Sequence, residues 1–378
     1  MKATCNREGL LAACQLAGAA LPAKDVKPIL KNFKAVAGDG RCTLIATDLE
    51  VGIRLDVQGL VIEEPGEAIL PAAKLTDILR EARDGQLSVE ADSSSCVVRG
   101  TTSPLEFEMP GEDPAQFPDF PELEDGKHHE VTAGALRELI KRTLFAAADD
   151  TAGRYVMTGV CWELEGGLVR LIATDGRRLA LAEATATSGS AEGKKGQGPE
   201  AGQAPVVSKK AMALLERNLQ DDPEDLVKVC IRRDDAFFRT GRSVIYCRLL
   251  EGRFPDWRGV IPKKHTVQMP LNIGAFLAAV RQAAIMTDRE SKRVTFKFTP
   301  ERLTLQAQGA TSGRSKVEMP LEGYKGAPVD ISFNPDYLIE FLKVLPSDAA
   351  LELRLTDGGK PALFRAGEQY SYLVMPLT

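Results

Sequence analysis

Leu171-Ile172-Ala173-Thr174-Asp175-Gly176-Arg177-Arg178-Leu179 opens with a run, Leu171 to Asp175, that also stands at Leu44-Ile45-Ala46-Thr47-Asp48. Ala46 and Ala173 lie 127 positions apart, and the chain of 378 residues is three times 126. A third, weaker repeat reads Leu303-Thr304-Leu305-Gln306-Ala307-Gln308-Gly309-Ala310, with Ser315 to Met319 where the first two continue as strands. This period is too long for a solenoid and fits three tandem domains of one fold.

Working outward, each repeat opens on a helix-start signal. Asn6 precedes Leu10, Leu11, Cys14 and Leu16; Thr132 precedes Leu136, Leu139, Ile140 and Leu144; Asn272 precedes Ile273, Phe276, Leu277 and Val280. The apolar spacing of three and four after a capping residue predicts amphipathic helices. A second helix is predicted after Pro71, after Ser208 and after Asn334-Pro335, proline being tolerated just inside a helix start because that amide is unpaired anyway. Alternating or β-branched segments at 42–46, 51–57, 97–98, 169–173, 227–231, 244–250, 294–298 and 351–355 predict strands. Two helices and several antiparallel strands per repeat define an α+β fold, with domains at 1–126, 127–263 and 264–378.

The two helix starts within a repeat are 65, 76 and 62 residues apart. The excess in the second coincides with the Gly/Ser/Lys-rich stretch from Thr187 to Gly198, which predicts a mobile surface loop over about 184–204. Gln116 to Pro121 and Arg253 to Pro262, rich in proline and aromatic residues, are expected to be extended, stiff connectors.

Composition bounds the class. The chain is 44% hydrophobic and 27% charged, ordinary for a globular protein. It shows no run of about 18 apolar residues and no signal-peptide core, so a cytoplasmic protein away from membranes is expected. Seven scattered cysteines without a C-x-x-C pair read as buried thiols, and the three histidines lack partners for a metal site. No cofactor is expected.

The net charge is -5, yet the six helical stretches together carry +4 and the remainder -9. Basic helices within an acidic molecule could attract phosphates locally or be ordinary solvated helix faces. Candidate phosphate-facing residues are Arg80, Arg83, Arg137, Lys141, Lys209, Lys210 and Arg217.

The Pro28-Ile29-Leu30 segment, Ala46-Thr47-Asp48-Leu49-Glu50, Ala173 to Leu179, Gly252-Arg253-Phe254-Pro255-Asp256 and the terminal Val374-Met375-Pro376-Leu377, set in a triplicated chain, resemble the bacterial DNA polymerase III β-subunit family, the replicative sliding clamps. The resemblance covers essentially the whole chain. It implies a head-to-tail homodimer closing a six-domain ring around duplex DNA, with helices lining the hole. Partners implied are the DNA polymerase III α subunit, the clamp loader and other proteins with a clamp-binding peptide. It also adds Lys24 and Tyr155 as DNA-approaching residues.

The same resemblance implies a peptide pocket between the second and third domains. Matching positions are Arg154, Met157, Thr174, Gly176, Arg177, Arg178, Leu179, Pro255, Val260, Pro361, Val374, Met375, Pro376 and Leu377. Met and Leu would line an adaptable apolar hole, Gly176 would admit the peptide backbone, and Arg154 and Arg178 would donate to its carbonyls or carboxylates. Gly259 stands where the family often has a basic residue, Ser291 where it has a bulky aromatic, and Leu377-Thr378 ends the chain early, which implies a shallower pocket.

Catalysis competes poorly. Asp175 with Arg178, or Asp149 with Asp150, could serve acid/base chemistry, but no catalytic motif accompanies them, and the duplicated Thr-Asp reads as a turn device. A monomeric repeat scaffold that never encircles DNA is the third class.

Overall fold

The computed structural model describes the whole chain except residues 25–26, 124–126, 150–154, 166, 190–203, 220–221, 289–291, 310–312 and 378. Among the described residues, six α-helices of nine residues or more occur, two per repeat: α1 (Arg7–Gly18), α2 (Ala72–Glu81), α3 (Ala133–Thr143), α4 (Lys209–Asn218), α5 (Ile273–Ala284) and α6 (Pro335–Lys343).

The caps explain where three of them begin. Asn6 accepts from the Gly9 amide, Asn272 from Ala275 and Asn334 from Asp336, so each side chain satisfies one orphan N–H of the first turn. Pro335 occupies the first helical position, as expected. Pro71 does not: it is itself the cap of α2, in extended backbone, and its carbonyl accepts from Leu75 at 2.9 Å.

Among the described residues, four antiparallel sheets accompany these helices. The first repeat alone builds a five-stranded sheet, in the order Leu60–Glu64, Lys2–Asn6, Gln86–Ala91, Ser95–Gly100, Glu106–Pro110. The third alone builds a four-stranded one, Gly313–Pro320, Arg302–Gly309, Val294–Phe298, Val329–Phe333. The other two sheets cross repeat boundaries. Ser243–Arg248 pairs with Val51–Asp56 to fuse strands of the first and second repeats into nine, and Arg178–Thr185 pairs with Tyr370–Val374 to fuse those of the second and third into eight.

Compactness follows the fused sheets and not the repeats. One unit comprises Met1–Gly134, Thr187–Ala201 and Lys210–Leu249, the other Ala135–Ala186, Gly202–Lys209 and Leu250–Thr378, so the middle repeat is shared out. In the first unit α1 packs beside α2, and in the second α5 beside α6. Each helix buries one stripe: Leu75, Ile78 and Leu79 in α2, Leu338, Phe341 and Leu342 in α6. Phe341 stacks on Tyr372 with ring centroids 4.4 Å apart, fixing α6 to one face of the eight-stranded sheet.

Two expectations change. Thr187–Gly189 is a strand paired with His128 to Glu130, because those residues still have a ladder to join, so the stretch begins as sheet. Residues 190–203 of the expected loop lie outside the described residues. The second connector is not extended throughout, since Arg258–Val260 is a 3-10 turn, whereas in the first only Gln116 belongs to one, Pro114–Gln116. All seven cysteines are buried thiols, and burial pushes Cys5 and Cys42 up to about 11.

Candidate functional site

The repeated Thr-Asp builds the same tight turn twice. Thr174 Oγ1 donates to the Arg178 carbonyl at 2.6 Å and accepts from the Gly176 amide at 3.1 Å, while Asp175 Oδ1 accepts from the amides of Arg177 and Arg178 at 2.8 and 3.0 Å. Thr47 and Asp48 hold Leu49, Glu50 and Val51 by the equivalent four bonds. The third turn residue lies in the left-handed region in both, φ 86° at Gly176 and 80° at Leu49, a conformation only glycine adopts without cost. Asp175 and Thr174 are therefore committed to backbone amides, which is turn chemistry.

Arg178 leaves this turn into the sheet with its side chain only 10% exposed. Its guanidinium donates to Asp175 at 3.0 Å, to Glu340 and to the Phe145 carbonyl at 2.8 Å, and lies 4.5 Å over the Tyr337 ring. Burial opposes its charge, but Tyr372, Glu340 and Asp175 outweigh it and raise the guanidinium's pKa above the ordinary value. Three of its five donors are engaged within the chain, tying the second repeat to α6. Arg177 is exposed, and its carbonyl accepts from the Met375 amide at 2.8 Å. Arg154, like Asp150, Ser291 and Thr378, lies outside the described residues.

Strand alternation sorts the apolar candidates onto two faces. Leu179 pairs with Leu373, and Leu373 with Leu363. These three cluster with Cys161, Ile172, Leu181, Val206 and Phe254, flanked by Val156, Leu250, Trp257 and Ile261. Val374 pairs with Arg178 and lies, fully buried, on the opposite face with Tyr370 and Tyr372, under α6. Val374 is thus buried under α6, while Leu373, 3% exposed, lies beside Leu179, 4% exposed, on the other face. Leu373, Leu363 and Phe254 share the cluster with Leu179 although they were not among the expected positions; for Leu373, only the alternation of 370–374, once its pairing partner is known, identifies the face.

The rim of this cluster is exposed. Met375 is 42% and Val260 49% accessible, Pro255 is exposed, and Pro361 and Pro376 are half-buried. Leu377 is half-buried, its amide donating to the Ser332 carbonyl at 2.8 Å and its carbonyl accepting from Arg293 at 3.0 Å. Met157 is buried, and its carbonyl accepts from Ala148. The connector is pinned alongside: Trp257 Nε1 donates to Glu163 at 3.0 Å, and Arg258 grips the same carboxylate with two bonds of 2.9 and 2.6 Å.

Of the basic candidates, Lys24, Arg80, Arg83, Arg137, Lys141 and Arg217 are exposed, Arg80 paired loosely with Asp77 and Lys141 with Glu138; Tyr155 is 62% accessible. Lys209 and Lys210 differ. Lys210 Nζ donates to the Ala20 and Leu21 carbonyls at 2.9 and 2.7 Å and to Asp48 at 2.6 Å, and Lys209 Nζ to Ala147, Ala148 and Asp149. The two neighbours bind carbonyl pairs that correspond at the 127-residue period. An ammonium has three donors, and both lysines meet three acceptors within the chain, Lys210 tying down the segment after α1.

Against known proteins, the family model described as DNA polymerase III beta subunit, N-terminal domain, matches residues 1–121, that of the central domain 130–256, and that of the C-terminal domain 258–378. The beta sliding clamp of Pseudomonas putida is 28% identical over 384 residues, covering 100% of both chains, and that of Bacillus subtilis 25% identical over 389 residues, covering 100% of this chain and 99% of the relative. Among solved structures, the DNA polymerase III beta subunit of Thermotoga maritima aligns with a TM-score of 0.88 at 25% identity, over 100% of this chain and 99% of that one. A Pseudomonas aeruginosa sliding clamp solved bound to griselimycin aligns with a TM-score of 0.88 at 27% identity, over 100% and 99%. With all three repeats matched by consecutive domain models, the chain belongs to the DNA polymerase III beta subunit family.

Proposed function

We infer that this protein is a DNA sliding clamp: two protomers close head to tail around duplex DNA and tether the polymerase for processive synthesis, the clamp performing no chemistry itself. The observation that carries the reading is the state of the two end sheets. Glu106–Pro110 and Gly313–Pro320 are outermost strands of their sheets. A free strand edge is a template for pairing with another chain. Each edge has an exposed large apolar side chain beside it, Phe107 at 41% on one and Ile285 at 70% after α5, to whose end Ser315 ties the other by a bond to the Ala283 carbonyl. Exposed Glu106 and Glu108 mark the first edge and exposed Arg314, Lys316 and Glu318 the second, with Glu106 paired to Arg99 and Lys316 to Glu318, so the edges differ in net sign and each suits the other better than itself, which favours heterologous contacts.

The exposed helix residues Arg80, Arg83, Arg137, Lys141 and Arg217, with Lys24 and Tyr155, would face phosphates irrespective of sequence. The Leu179, Leu373 and Leu363 cluster with Met375 and Val260 at its rim would receive an extended peptide with bulky apolar residues from the α subunit, the clamp loader and other clamp-binding proteins, in the cytoplasm where the chromosome is copied. The test is retention. A species of twice the chain mass that stays on nicked circular DNA and leaves after linearisation is expected; a monomer released equally from both would leave the scaffold reading. Ile285→Arg should yield monomers that lose retention and keep peptide binding.

A further inference from the structure

The peptide surface at the junction of the second and third repeats has a counterpart at the junction of the first and second, 127 positions earlier. Leu179 corresponds to Gly52 and Leu373 to Tyr246, and Tyr246 pairs with both Gly52 and Phe237 as Leu373 pairs with both Leu179 and Leu363. The counterpart is covered. Phe120 and Leu123 of the connector pack on Cys230, Phe237 and Tyr246, with the Phe120 ring edge-on to Tyr246 at 6.4 Å between centroids.

Three features make this a seat for that segment. A Cβ on Gly52 would stand 3.0 Å from Phe120, so the glycine is what admits the ring where the second junction has leucine. Arg232 lies over Phe237 at 4.6 Å and donates to the Glu122 carbonyl at 3.4 Å, holding main chain as a receptor holds a peptide. In the second junction the matching connector also packs on the cluster, through Trp257 and Ile261, but Trp257, the equivalent of Phe120, is anchored by its indole N–H to Glu163, and Val260, the equivalent of Leu123, stays exposed. The first repeat has Val36 at the place of Glu163 and cannot anchor its connector that way.

We propose that the first junction is a second, latent site for extended apolar-tipped peptides, occupied in cis by the chain's own Phe120 to Leu123 segment, so that each protomer offers one open peptide site instead of two. The chemistry is the same at both junctions: sheet-face apolar groups take alternate bulky side chains, and an exposed strand rim guides the backbone. The proposal rests on the peptide reading of the second junction, and its test separates the two.

The probe is a fluorescein-labelled extended hexapeptide ending in Leu-Phe, titrated into full-length protein with stoichiometry read by anisotropy. One probe per chain is expected for the native protein, none for Met375→Arg, two for Phe120→Ala with Leu123→Ala, and one for the three substitutions together. One for the double variant with none for the triple overturns the proposal. No binding to the native protein with one site in the double variant overturns instead the reading of the second junction and leaves this one standing. Where the double variant melts below the assay temperature, a free peptide of residues 116–123 is added to native protein: displacement of the probe is expected, and none at large excess overturns the proposal.

Discussion

Leu179 and Leu373 stand directly opposite one another on neighbouring antiparallel strands of different repeats, while Val374, the next residue, turns under α6. The alternation divides one short segment between two faces of the sheet.

Shaving Leu373 or Leu179 to alanine should weaken an apolar-tipped peptide about 5-fold to 150-fold, the loss of roughly 1–3 kcal/mol of buried contact. The double change should be non-additive, since both touch one cluster. Val374→Ala should cost about 1.5–3 kcal/mol of stability and leave the affinity of the folded protein within a factor of about two. Anisotropy titrations beside melting curves check both; native affinity in Leu373→Ala would show that this face takes no peptide.

Arg178→Ala leaves Asp175 and the Phe145 carbonyl without their donor. Removing one partner of a buried ion pair costs about 3–5 kcal/mol, and the low end is expected because Glu340 is half exposed. Arg178→Lys should recover little, since an ammonium cannot reach three acceptors in a planar fork or stack on Tyr337. Denaturant unfolding of the two variants provides the measurement, with a fully stable lysine variant as the contrary outcome.

Lys210→Ala should lower stability by about 1–2 kcal/mol, because the Ala20 and Leu21 carbonyls lose a charged donor. Its effect on the salt dependence of DNA association should be smaller than that of Arg83→Ala or Arg217→Ala, each of which removes an exposed charge and about one unit of slope. A larger slope change for Lys210→Ala than for the arginines would reverse that assignment.

Asp84 accepts from the hydroxyls of Ser103 and Thr102 and from both their amides, and these bonds hold its carboxyl well below the usual carboxylate range. A depressed folded pKa stabilises fully above the unfolded value of about 3.9 and is lost as pH falls below it towards the folded value. The melting temperature of Asp84→Asn should therefore lie below that of the native protein at pH 6, with the gap narrowing progressively below about pH 4. A gap independent of pH would mean that the lost bonds, and not the charge, set the difference.

Repetition and local patterning were legible in the chain itself. Asn6, Asn272 and Asn334 cap helices because an amide-accepting side chain before an apolar stripe acts within a few residues, and the Thr-Asp turn closes on bonds spanning two to four positions. The family motifs marked the stretches around Leu179 and Met375 for the same reason: they are short and contiguous. What only the tertiary structure decided is which strands of different repeats join. That choice fused the sheets across repeat boundaries, put Leu373 and not Val374 beside Leu179, spent Arg178 on Glu340 and Lys210 on Ala20 and Leu21, and laid Phe120 against Gly52. Alternation along a strand says that neighbours face opposite ways, but the face that meets a helix, a peptide or the chain's own connector is set by pairing between distant segments, and no local preference encodes that register.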